Sequence, residues 1–172
     1  MNAHRMAWKR MWGAVLGCGL CLGAGAAEEP ALVSYETLSP GAAQELAEAT
    51  LQACRKAGFQ VAVAVVDRAG VPQVMLRDRY AGAHTPDTAI RKAWTAVSFR
   101  TDTLALADLT QAGKPQSGVR EVTNALMIGG GVPVEAAGSV VGGVGVSGAP
   151  TGEDDEACAR AGLNAIEARL TF

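Results

Sequence analysis

Few residues in this chain carry distinctive chemistry, and several of them crowd into one stretch, Tyr80-Ala-Gly-Ala-His84-Thr-Pro-Asp-Thr-Ala-Ile90-Arg-Lys-Ala-Trp94. The chain has two histidines, His4 and His84. A lone imidazole cannot build a zinc site, which needs three or four nitrogen, sulfur or carboxylate ligands. It can serve as the single protein ligand of a metal already held by other means. Neutral imidazole would bind through one ring nitrogen while the other donates to a carbonyl or carboxylate. Tyr80 offers a phenolate nearby, and Thr85 a poorer hydroxyl ligand. Arg77, Arg79, Arg91 and Lys92 flank the loop and can pair with carboxylates. For Arg91 and Lys92 the plainer expectation is the solvated face of a helix. Met75 and Met127 fall in expected strands and read as core.

Other constellations carry less. Glu153-Asp-Asp-Glu156 groups oxygen ligands that suit iron, calcium or magnesium. The same acids fit a helix start, where the dipole accounts for them. Gly143-Val-Gly-Val-Ser-Gly148 matches G-x-G-x-x-G as a string but has no room for a following βαβ unit, so nucleotide binding is rejected. Its small residues instead let another element, or a ligand, approach a sheet closely. Ser147 lacks the surroundings of a G-x-S-x-G elbow, and no nucleophile triad is available in its usual form.

The elements that must position these groups can be read along the chain. A helix is expected from about Ser39, a cap, with Pro40 at the first turn and Ala43, Leu46, Ala47, Leu51 and Cys54 at helical spacing. Gly58 stops it. Val61–Val66 and Val71–Leu76 form a hairpin around Asp67-Arg-Ala-Gly70, with Pro72 near a strand entry. Thr85 is a plausible N-cap, followed by Pro86, Asp87 and an apolar face of Ala89, Ile90, Ala93, Trp94 and Val97. A short helix follows over Thr103–Leu109, and 111–118 reads as a loop. Three strands are expected at Val122–Ile128, Val132–Ala136 and Ser139–Val146. A last helix starts at Thr151, with Asp154 as partner in a capping-box-like pair. Its inner positions are small. The order predicts an α+β domain with a five-stranded, mainly antiparallel sheet.

The ends and the charge bound the function. Arg5, Lys9 and Arg10 precede an apolar run ending in Ala24-Gly-Ala26, an export signal over residues 1–26. Residues 27–172 then form a single domain with twelve basic and seventeen acidic residues, a net charge of −5. Nucleic acid would call for a basic face and is not expected as a partner. Val15-Leu-Gly-Cys18 loosely resembles a lipobox, so a membrane enters only through lipid attachment at Cys18. Beyond the signal, the cysteines are Cys54 and Cys158. They can pair in an oxidising compartment or stay as two buried thiols.

Five blocks carry a family resemblance: Val61-Ala-Val-Ala-Val-Val-Asp67, Ile90-Arg-Lys-Ala-Trp-Thr-Ala96, Gly129-Gly-Gly-Val-Pro133, Val144-Gly-Val-Ser-Gly-Ala-Pro150 and Asp155-Glu-Ala-Cys158, after Pro40-Gly-Ala-Ala. Over residues 37–168 the chain resembles the GlcG/HbpS family, which includes haem-binding HbpS proteins and the C-terminal domain of PduO-type proteins. The resemblance implies a profilin-like fold, self-association into homo-oligomers, and binding of haem or a related tetrapyrrole such as a corrinoid. On that basis His84 is the expected iron ligand, Tyr80 and Thr85 are its alternatives, and Arg77, Arg91 and Lys92 are the expected propionate partners. Trp94 either stacks on the macrocycle or packs on the sheet. The expected function is an exported, periplasmic or secreted haem-binding protein for haem capture, buffering or sensing. The alternative is an enzyme or accessory protein of glycolate or corrinoid metabolism.

Overall fold

A computed structural model describes residues 29–170. From Tyr35 onward the chain forms one compact unit. The expected export signal, its lipobox at Cys18 and His4 lie outside the described residues. Four helices, α1 (Pro40–Lys56), α2 (Thr85–Phe99), α3 (Thr103–Leu109) and α4 (Gly152–Ile166), accompany four strands, β1 (Ala62–Asp67), β2 (Pro72–Arg77), β3 (Gly131–Ala136) and β4 (Ser139–Ser147). The strands form one antiparallel sheet in the order β2-β1-β4-β3. No described helix is long and apolar enough to cross a membrane.

The sheet has four strands rather than five. The stretch 122–128, expected as a strand, is a run of turns after a short 3-10 helix at Ser117–Glu121. Its backbone groups are taken by side chains of α2. Arg91 donates to the carbonyls of Asn124 (3.4 Å) and Ala125 (3.2 Å), and the Leu126 N–H donates to Thr95 Oγ1 (2.9 Å). Asn124 also adopts a left-handed conformation, φ 70°, outside the extended region of regular strands.

The two faces of the sheet differ in kind. Because side chains alternate along a strand, Val61, Val63 and Val65 point with Val144 and Val146 to one side. There they meet Leu46, Ala47 and Cys54 of α1 and Cys158, Ala159 and Ile166 of α4. Cys54 and Cys158 are joined in a disulfide that ties the two helices together, with Cα atoms 5.3 Å apart. On the opposite side the sheet presents Gly131, Gly143 and Gly145. A Cβ on Gly145 would collide with the Ala89 carbonyl, and one on Gly131 with that of Lys92. The close approach anticipated for Gly143 and Gly145 is thus made by α2, which lies directly on the backbone of β3 and β4.

Ser39 caps α1, its hydroxyl accepting from the Ala42 N–H at 3.3 Å. Thr151 caps α4 by accepting from the Asp154 N–H at 3.1 Å. At α2 the boundary falls one residue early. His84 occupies the cap position without a side-chain cap bond, and Thr85 is the first helical residue.

Candidate functional site

The N-termini of α2 and α4 and the end of β4 meet around a groove of about 540 Å³. One wall is the 80–85 loop with Tyr80 and His84, and the other is the β4–α4 connection, Gly148–Thr151. Ile128 and Tyr80 stand at the rim, 48% and 78% exposed, and Ser147 lies at the floor, 4% exposed.

The loop that carries the imidazole is fastened at its base. Asp78 is buried and accepts from Arg55 Nε and Nη2 through one oxygen, at 2.8 and 2.5 Å. Arg77 donates to the Ala81 carbonyl and the Ala81 N–H to the Asp78 carbonyl, which closes the turn. Thr85 is 1% exposed, and its hydroxyl donates to the Gly82 carbonyl at 2.8 Å. Past these anchors the His84 ring is exposed and folds over Gly82. A Cβ at residue 82 would stand 2.8 Å from its Cε1 and 2.9 Å from its Nδ1. Glycine there leaves the ring its place.

Below the rim runs a buried ion pair. Lys92 and Asp155 side chains are 2% and 5% exposed, with Nζ and Oδ2 2.7 Å apart. Lys92 also donates to the Val146 carbonyl at 3.0 Å, and the other Asp155 oxygen accepts from the Ala149 N–H at 2.9 Å. The pair therefore joins α2, which begins the His84 wall, to the strand end and connection that make the opposite wall. Burial pushes the Asp155 carboxyl above the ordinary aspartate range, and the attraction of Lys92 only partly opposes this.

The sequence-predicted residues thus separate. Tyr80, His84, Thr85 and Lys92 share the groove, whereas Arg77 and Arg91 do not line it. Arg77 is committed to Ala81, and Arg91 to Asn124 and Ala125. Lys92 is not on a solvated helix face but in the interior. Trp94 packs with Leu106, Ala125 and Met127 and beside Gly70, away from the groove. Met127 is core as expected, whereas Met75, on edge strand β2, is 44% exposed. Of the acidic run, Asp155 and Glu156 are buried, and Glu156 pairs with Arg160. Among the described residues no cluster of three or more His, Cys, Asp or Glu side chains is arranged to hold a metal ion. Ile128 was hidden by its assignment to a strand, and Ser147 by its place at the end of a glycine-rich one.

A family model described as "haem degrading protein HbpS-like" matches residues 38–164. The chain belongs to the HbpS-like family. Among solved HbpS-like structures, a double mutant of HbpS from Streptomyces reticuli is 42% identical, with a TM-score of 0.74 over 82% of this chain and 94% of that one. A PduOC:haem complex is 30% identical, with a TM-score of 0.70 over 76% and 95% of the two chains. The corrinoid adenosyltransferase PduO of Salmonella typhimurium is 30% identical over 127 residues, 73% of this chain. That match spans only 36% of PduO.

Proposed function

We propose that this protein is an exported haem-binding protein serving haem capture, buffering or sensing. The observation that carries the reading is the exposed imidazole of His84 at the edge of a groove of about 540 Å³, within the range of about 300–1,000 Å³ common to small-molecule sites. His84 would supply an axial nitrogen to the iron, and Tyr80 is the nearby alternative ligand. Exposed Tyr80 and Ile128 suit the apolar body of a tetrapyrrole. Bound haem would supply an iron centre for ligand or redox chemistry. The chain's own part is to ligate, to orient and to shield one face. The haem held by the PduOC relative supports this reading.

Export is supported by the residues 1–26 pattern and by the Cys54–Cys158 disulfide, since such bonds persist in oxidising compartments. Self-association is supported by the family resemblance. A corrinoid is the second reading, favoured by the identity to PduO. The test is a haemin titration of residues 27–172 followed by absorption. His84→Ala should shift the Soret band and weaken binding at least tenfold, and an unchanged spectrum and affinity would remove His84 from the site. Aquocobalamin run in parallel decides the second reading by which ligand saturates first.

A further inference from the structure

Gly82 is a glycine that the backbone does not require. Its φ lies outside the left-handed region, unlike those of Gly58, Gly70 and Gly148, and the residue is exposed. A Cβ there would press on the His84 ring and otherwise reach only Thr85 Cγ2, at an ordinary 3.7 Å. The fold has room for a side chain at 82, and the imidazole alone stands in its way. The contact is also directional. Nδ1 and Cε1 face Gly82, whereas Nε2 comes no nearer to that Cβ position than Thr85 Cγ2 at 3.7 Å.

Both backbone ends of the contact are held. The Gly82 carbonyl accepts from the Thr85 N–H at 3.1 Å and from Thr85 Oγ1 at 2.8 Å. The His84 carbonyl accepts from the Thr88 N–H at 3.1 Å and from Thr88 Oγ1 at 2.9 Å. The ring has no such tether: among the described residues no hydrogen bond reaches either of its nitrogens. A metal-binding imidazole is ordinarily oriented by a hydrogen bond from its second nitrogen to a carbonyl or carboxylate. Here contact with Gly82 stands in that bond's place.

We propose that Gly82 is a positioning residue for the iron ligand: having no side chain, it seats the Nδ1–Cε1 edge of His84 against the loop and leaves Nε2 as the nitrogen that meets the metal. The proposal rests on the haem reading and deepens it. It makes the turn of the loop, rather than a hydrogen bond, the device that sets the ring's direction.

The test is Gly82→Ala, alone and combined with His84→Ala. The added methyl strains no backbone and presses only on the movable end of one side chain. The variant should therefore keep the wild-type Tm; a marked fall would mean that the fold itself needs the glycine and would overturn the proposal. In haemin titrations Gly82→Ala should weaken binding about tenfold, as loss of an orienting partner of a metal-binding imidazole does. Its Soret band should move toward that of His84→Ala. In the His84→Ala background the same change should have no further effect. Equal losses in both backgrounds, or no loss in either, would overturn the positioning role while leaving His84 as the ligand. A second arm needs no haem. In NMR spectra of the protein alone, His84 Hε1 should show a through-space contact to the Gly82 Hα protons, and Gly82→Ala should shift the His84 ring signals; absence of either overturns the seat. If the wild type takes up no haemin, the His84 reading fails on its own, and this second arm decides the placement of the ring.

Discussion

Lys92 shows how far one side chain's surroundings can depart from its place in a pattern. Removing its charge leaves Asp155 buried without a counter-ion, and breaking such a pair is destabilising by about 3–5 kcal/mol. Lys92→Met should therefore lower the urea midpoint strongly, while Lys92→Met combined with Asp155→Leu recovers most of the loss; equal losses in both would show that the charges are not what matters. Asp155 also fixes a pH dependence. Its carboxyl titrates higher in the folded than in the unfolded chain, so between the ordinary value of about 4 and its raised one the folded state holds the extra proton. Its contribution to stability therefore falls as pH rises through that window. Asp155→Asn should abolish this part of the slope in urea melts recorded across pH; an unchanged slope would assign it to other groups. At this scale His84 and Tyr80 were legible as candidate site residues, because they fall in a Gly-containing stretch just ahead of a helix start. The burial of Lys92 was not, because its partner lies 63 residues further along the chain and i, i+4 spacing does not reveal it.

Among the elements, α2 does most to shape the groove, and its seat is made of backbone. Gly145→Ala would drive a methyl group into the Ala89 carbonyl and lift the helix from the sheet. Overpacking of this kind is destabilising by about 1–3 kcal/mol or more. Gly41→Ala in α1 meets nothing within 4 Å and should be neutral or stabilising by up to about 1 kcal/mol. Thermal melts of the two variants compare them directly, and a Gly145→Ala protein as stable as wild type would show that α2 has room to spare. The helices and the four real strands were readable because caps, β-branched runs and turn glycines lie within each segment. The false strand at 122–128 had suitable residues, but its hydrogen-bonding groups are claimed by Arg91 and Thr95 from a distant element. Hydropathy and strand propensity carry no trace of that claim.

For the molecule as a whole, the Cys54–Cys158 bond closes a loop with a sequence separation of 104, which takes in most of the compact unit. On the chain-entropy account a loop of that length is worth about 4–5 kcal/mol, and removal of native disulfides typically forfeits about 2–5 kcal/mol. Cys54→Ala with Cys158→Ala should lower stability by that amount in denaturant melts, and wild type under reducing conditions should move toward the double variant. Coincident wild-type curves with and without reductant would show that the bond contributes little. Sequence left pairing and free thiols equally open, because two cysteines on separate helices give no sign of the distance between them.

The unlike faces of the sheet have a consequence for how this fold can vary. Valines fill one side, where neighbours of slightly different volume can be exchanged and the helices α1 and α4 can settle anew. On the other, glycines of β3 and β4 set main chain against main chain beside the small side chains of Ala62 and Ala64, which leaves little to exchange. Changes in the first layer can accumulate and tune robustness while the imidazole keeps its height above the groove, because that height is set by the thickness of the polypeptide itself.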